Sequence, residues 1–165
     1  MIENEGLIMT FNLENEWIDK PRAILDEDIA KLDRKLKFMV PRSFIYYVRF
    51  YDGCTPKKSD FKYIDFGEKP NIGCIGAFIP IKHDGYSSIL QTFQDPPEFF
   101  PHNLVAFAEV GNGDLVCFDY RNNPKTDNPP IVYWNHEAQE GRDVSFVAKD
   151  FEEFLSILKE PEDLY

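Results

Sequence analysis

The stretch that most restricts how this chain can fold runs from Leu104 to Phe118. Leu104 to Ala108 is apolar at every position, Gly111-Asn112-Gly113 is a tight-turn signal, and Leu115 to Phe118 is again apolar at odd and even positions alike. A strand with one wet face alternates apolar and polar residues, so two neighbouring strands that never alternate are covered on both sides. The pattern therefore predicts a central β-hairpin. Beyond the polar loop Arg121 to Asn128, Ile131 to Trp134 reads as a third such strand, and Val144 to Val147 as a fourth.

Helical periodicity flanks this block on both sides. Asp26 is placed as an N-cap, with Glu27 and Asp28 in a first turn where the helix dipole favours negative charge, and Ile29, Leu32 and Leu36 mark one face of a helix to about Phe38. Pro41 suits the start of a second helix, in which Phe44, Tyr47, Val48 and Tyr51 share a face before Asp52-Gly53 ends it. Near the C-terminus, Asp150 with Glu153 fits a capping box, and Phe151, Phe154, Leu155 and Leu158 form an apolar stripe. Between these regions the sequence predicts short strands around Phe61 to Phe66 and Cys74 to Ile81. A short helix from Tyr86 to Phe93 follows, then a Pro-rich interruption from Asp95 to Pro101.

The chain has 165 residues, 43% of them hydrophobic, with 15 Phe and 8 Tyr, which is enough for one core and one domain. Its formal charge is -11, unevenly placed: residues 1–82 hold 13 Lys/Arg and 13 Asp/Glu, whereas residues 83–165 hold 5 and 16. Such a field repels nucleic acid, whose binding rests on Lys and Arg neutralising phosphates, and it steers basic partners inward. Cys54, Cys74 and Cys117 are an odd number without short spacing, which reads as reduced thiols. Glu3 and Glu5 before the short apolar run Gly6 to Phe11 do not form a signal peptide, and no stretch is long enough to span a bilayer. A cytoplasmic protein without a membrane role is the expectation.

Motifs for chemistry are missing. His83, His102 and His136 are isolated and read as surface-loop residues, so no metal site and no cofactor is expected. There is no nucleophile elbow, and Cys117 falls within a buried strand, where a thiol is packing. The glycines at 111 and 113 lack the Lys-Ser/Thr pair of a phosphate loop. Asp114, Asp119, Glu137 and Asp143 flank the strand block and are expected to form a solvated rim.

In order along the chain, Asp26-Glu27-Asp28-Ile29 with Leu32, Val40-Pro41, the Phe44 to Phe50 stretch and Asp52-Gly53 come first. Phe100-Pro101, Leu104 to Ala108, Gly113-Asp114 and Cys117-Phe118-Asp119-Tyr120 follow. Pro130-Ile131-Val132, His136-Glu137, and Val147-Ala148 leading to Phe151, Phe154 and Leu155 complete the set. Together these resemble the SUKH superfamily of Smi/Knr type, which holds bacterial toxin-immunity proteins and fungal cell-wall regulators. The likeness covers most of the chain; Pro56 to Pro97 matches only loosely, Asn112 departs from the usual turn, and roughly the first 20 residues have no counterpart.

The resemblance implies a single α+β domain over residues 1–165, with a central mixed, largely antiparallel sheet flanked by N-terminal and C-terminal helices. It also implies a binding protein with no enzymatic activity, an immunity protein that neutralises a cognate toxin, often a nuclease. The charge distribution agrees, because a nuclease presents cationic surface to phosphates and an acidic inhibitor complements it. The carboxylates expected to meet such a partner are Asp84, Glu98, Asp119, Glu137, Glu140 and Asp143, in or beside loops around the strand block. Two other readings stay open: a regulatory or scaffolding domain of the cell-wall type, and an enzyme or small-ligand binder using carboxylates near Asp114 and Asp119. The sequence leaves the oligomeric state unset.

Overall fold

The computed structural model describes residues 17–82 and 87–161. His83, Asp84 and Tyr86 lie outside the described residues, as do positions 1–16 and 162–165. The elements follow as α1 (Asp26–Lys35), α2 (Arg42–Val48), β1 (Asp60–Ile64), β2 (Pro70–Phe78) and α3 (Ile89–Gln94). After them come β3 (Leu104–Val110), β4 (Leu115–Asp119), β5 (Ile131–Trp134), β6 (Val144–Ala148) and α4 (Phe151–Ile157). The six strands form one sheet in chain order, each paired with the next. All five pairings are antiparallel, so the fold is α+β and the antiparallel form of the expected sheet holds throughout. One parallel bridge, Arg22 to Tyr51, lies outside the named strands.

The non-alternating block is the middle of this sheet. All of β4 and β5 and the first five residues of β3 are buried, as two-sided cover requires. In register, Phe118 faces Val105 and Ile131, while Val116 faces Tyr133; these residues share one face. Against that face pack Phe44 of α2 and Phe151 and Phe154 of α4. Phe107 and Phe118 stack at 4.2 Å, with Phe44 edge-on to them at 5.5 and 5.3 Å. Each fully buried Phe contributes roughly 1.5–3 kcal/mol. The opposite face carries Leu115, Cys117, Asp119, Val132 and Trp134, and Phe100 covers Trp134 edge-on at 5.0 Å. Cys117 is inert packing there, since burial pushes its thiol well above the ordinary range.

The sheet curls strongly. Tyr63 of β1 stacks on Tyr133 of β5 at 4.5 Å, and the chain leaving α4 pairs Lys159 with Asp60 through two backbone hydrogen bonds of 3.0 and 2.8 Å. This leaves the helix-covered face open at one end, between the β1–β2 hairpin and the β5–β6 loop.

Several boundaries differ from expectation for local reasons. Leu25, not Asp26, caps α1: the Asp28 carboxylate accepts the Leu25 N–H at 2.8 Å, while Asp26 pairs with Arg49 at 3.0 Å. The helix stops at Lys35, and Phe38 instead stacks on Tyr120 at 4.5 Å. Strand β2 runs from Pro70 to Phe78 instead of Cys74 to Ile81, because buried Asp52 captures the N–H groups of Ile81 (2.7 Å) and Lys82 (3.0 Å) and turns the chain out of the sheet. Gly53 beside it holds φ +72°, and a Cβ there would sit 2.8 Å from Pro80. Asp52-Gly53 is therefore a fold-forming pair. Helix α3 starts at Ile89, where the Ser88 hydroxyl accepts the Gln91 N–H at 3.1 Å. At α4, Asp150 accepts the Glu153 N–H at 2.8 Å as a cap should, but Glu153 reaches back to Lys149 at 2.6 Å.

Candidate functional site

The open end of the curled sheet holds a groove of about 710 Å³. Tyr63, Phe66 and Ile72 of the first hairpin form one wall, Tyr133 and Ser145 the floor, and Glu137, Ala138, Gln139 and Arg142 of the β5–β6 loop the other wall. Arg142 sits 5.7 Å from the centre of the Phe66 ring, which remains 53% exposed.

One buried carboxylate organises this end. Asp114 Oδ2 accepts from the Tyr133 hydroxyl (2.5 Å) and Asn112 Nδ2 (3.0 Å), while Oδ1 accepts from the His136 N–H (3.0 Å) and lies 2.6 Å from His136 Nδ1. Burial pushes the Asp114 carboxyl up, but these hydrogen bonds outweigh it and hold the group below its ordinary value. The same environment raises the Tyr133 hydroxyl, first by burial and then by its bond to Asp114. Asn112 also accepts the Asp114 N–H at 3.0 Å, so the residue that departs from the plain turn pattern is part of the network. The β3–β4 turn and the β5–β6 loop are thereby pinned to each other.

The loop has a second side. Phe99, Trp134, His136, Ala138, Gln139, Glu140 and Asp143 surround a recess of about 290 Å³ on the opposite sheet face. The Trp134 Nε1–H donates to Asp143 Oδ2 at 3.1 Å. Phe99 is 81% exposed at φ 64°.

These positions sort the six expected carboxylates. Glu137 and Glu140 are exposed on the β5–β6 loop and Asp143 closes it, so three share one loop, while exposed Glu98 precedes Phe99 of the recess in the chain. Asp119 lies at the far end of β4, where Arg121 grips it with two bonds of 2.9 Å. Asp84 is outside the described residues. The solvated rim is corrected: Asp114, Asp119 and Asp143 are buried and accept internal hydrogen bonds, and only Glu137 of that set projects into water. His136 is likewise no plain loop histidine, because its ring is held by Asp114. Periodicity could not show either, since both follow from strand register: pairing Leu115 with Trp134 brings residue 114 beside residue 136.

Asp114 and Asp119 sit at opposite ends of β4 with side chains on different partners, and the Asp114 pKa is lowered where an acid/base pair would need one raised. These two carboxylates are therefore not placed to work as an acid/base pair with each other. Among the described residues no group of three or more His, Cys, Asp or Glu is placed to hold a metal ion, and no helix is long and apolar enough to cross a membrane. What the end of the sheet offers is a contoured, acidic surface with exposed aromatic rings.

A family model described as SMI1 / KNR4 family (SUKH-1) matches residues 23–157. No curated protein and no solved structure matches the chain. The matched span begins just before α1 and ends with α4, so it takes in every named element.

Proposed function

The chain belongs to the SMI1 / KNR4 family (SUKH-1), and from that premise we propose that it is an immunity protein whose β5–β6 loop binds and neutralises a cognate toxin domain of basic surface. The supporting observation is that exposed Glu137 and Glu140 share one loop held by Asp114, with the exposed ring of Phe66 on one side of that loop and that of Phe99, which exposed Glu98 precedes in the chain, on the other. Carboxylates of this kind steer a cationic partner and set the register of docking, and aromatic side chains supply the anchoring burial. Asp143 takes part as a positioning group, holding Trp134 at the edge of the recess. Asp119 contributes to the field while clamped by Arg121. The protein acts in the cytoplasm of the cell that makes it, on a toxin that has entered, and it acts by blocking without chemistry.

Co-expression with the toxin encoded beside its gene tests this directly. Survival of the cells, and a complex whose association slows as salt is raised, are the expected results. Unabated killing with no complex at low salt overturns the proposal. Capture of an endogenous wall-regulatory protein in its place would assign the surface to a regulatory or scaffolding role.

A further inference from the structure

Among the described residues Phe99 is the most exposed of the large apolar side chains, and its backbone is unfavourable for a bulky residue. It stands third in the turn Pro97–Phe100, closed by the Phe100 N–H on the Pro97 carbonyl at 3.1 Å, with φ 64° where glycine is favoured. The chain thus holds a phenyl ring in water, in a strained conformation, gaining almost no burial from it. Across the recess lie Trp134 and Ala138, with buried Asp143 below and exposed Glu140 on the rim; Glu98 precedes Phe99 in the turn. Arg121 feels the charge of Asp143 at longer range, but its guanidinium is engaged with Asp119. An exposed phenyl ring beside an exposed carboxylate, with a buried indole and a buried carboxylate behind them, complements one side chain in particular. A guanidinium is planar, stacks on aromatic faces, is weakly hydrated, and donates to carboxylates in a fixed fork.

We propose that the recess between Phe99 and Trp134 receives an arginine side chain of the protein partner, stacked on the Phe99 ring and paired with Glu140. This deepens the immunity reading and rests on it for the partner's identity. Lysine fits less well, because its ammonium keeps a tighter hydration shell and does not stack.

The probe is N-acetyl-arginine methylamide, titrated against the full chain by NMR, with the citrulline and lysine analogues alongside. The arginine compound should shift the Trp134 indole N–H and the Ala138 amide with an affinity of order millimolar. The lysine analogue should be several-fold weaker and the neutral citrulline analogue without effect. Phe99→Gly and Glu140→Gln should each abolish the shifts. Phe99→Gly should also keep or raise Tm, because glycine accepts the positive φ; a fall in Tm would give Phe99 a structural role and count against the proposal. No shift at tens of millimolar, or equal shifts with citrulline, overturns it. In co-expression the two ideas separate: if the natural chain protects and Phe99→Gly protects equally, the recess is refuted while the immunity role stands. If the natural chain fails to protect, the immunity role falls and the titration alone decides the recess.

Discussion

Replacing Asp114 with Asn removes one charge from a buried site that is built around it. Asp114 uses both oxygens as acceptors, for Tyr133 and Asn112 on one and for the His136 amide and ring on the other. Asparagine has one acceptor oxygen. Placed toward His136, it keeps those contacts as neutral bonds, and its amide then faces Tyr133, whose hydroxyl can rotate to accept. Asn112 Nδ2 is left without its partner, since Asn112 Oδ1 is committed to the Asp114 N–H. Losing one charge-assisted bond and weakening two others costs about 2–3 kcal/mol. With a urea m-value of about 2 kcal/mol per molar, that moves the unfolding midpoint down by roughly 1–1.5 M at pH 7. The pH dependence carries a sign. A carboxyl held below its ordinary value stabilises the fold above the unfolded pKa and loses that contribution as pH falls through the folded one. The gap between parent and Asp114→Asn should therefore close as pH drops below the ordinary 3.8. Circular dichroism melts in urea at a series of pH values measure both. A loss under about 0.5 kcal/mol, or a gap that persists undiminished into strong acid, would refute the role given to Asp114.

Three further outcomes follow from packing. A Cβ on Gly73 would lie 2.3 Å from the Phe61 ring, so Gly73→Ala should destabilise the β1–β2 hairpin by about 1–3 kcal/mol in the same urea assay. The Tyr120 hydroxyl donates to the Met39 carbonyl, and Tyr120→Phe removes that bond from a buried ring, so a loss of about 1 kcal/mol is expected. Of the three free cysteines only Cys74 is exposed, so a thiol reagent should modify one cysteine in the native protein and all three in urea; rapid native reaction of Cys117 would contradict the buried strand.

The central sheet was legible because two-sided burial leaves an unmistakable sequence trace, in Leu104–Ala108, Leu115–Phe118 and Ile131–Trp134. Helix stripes were equally plain at Phe44 and Tyr47 and at Phe151 and Phe154, all of them core residues. The ends of elements were less so, because they are set by side chains distant in sequence. Asp52 stops β2 from 29 residues away, and Tyr120 draws Phe38 out of α1. The charge excess of the second half located the acidic end only coarsely. Composition cannot distinguish Glu137, which is 83% exposed, from Asp143, which is buried under Trp134. Nor can it reveal Tyr63, because the groove it lines exists only once the sheet has curled far enough to stack it on Tyr133.

The acidic loop is the surface proposed to engage the toxin. The most direct measurement compares two charge reversals of equal size in the co-expression assay: Glu98→Lys, Glu137→Lys and Glu140→Lys together, against Asp127→Lys, Glu152→Lys and Glu160→Lys, all exposed positions away from the loop. The first set should abolish protection while leaving the melting temperature near that of the parent, and the second should protect as the parent does. Equal protection by both, or equal loss in both, would contradict a binding surface at this end of the sheet.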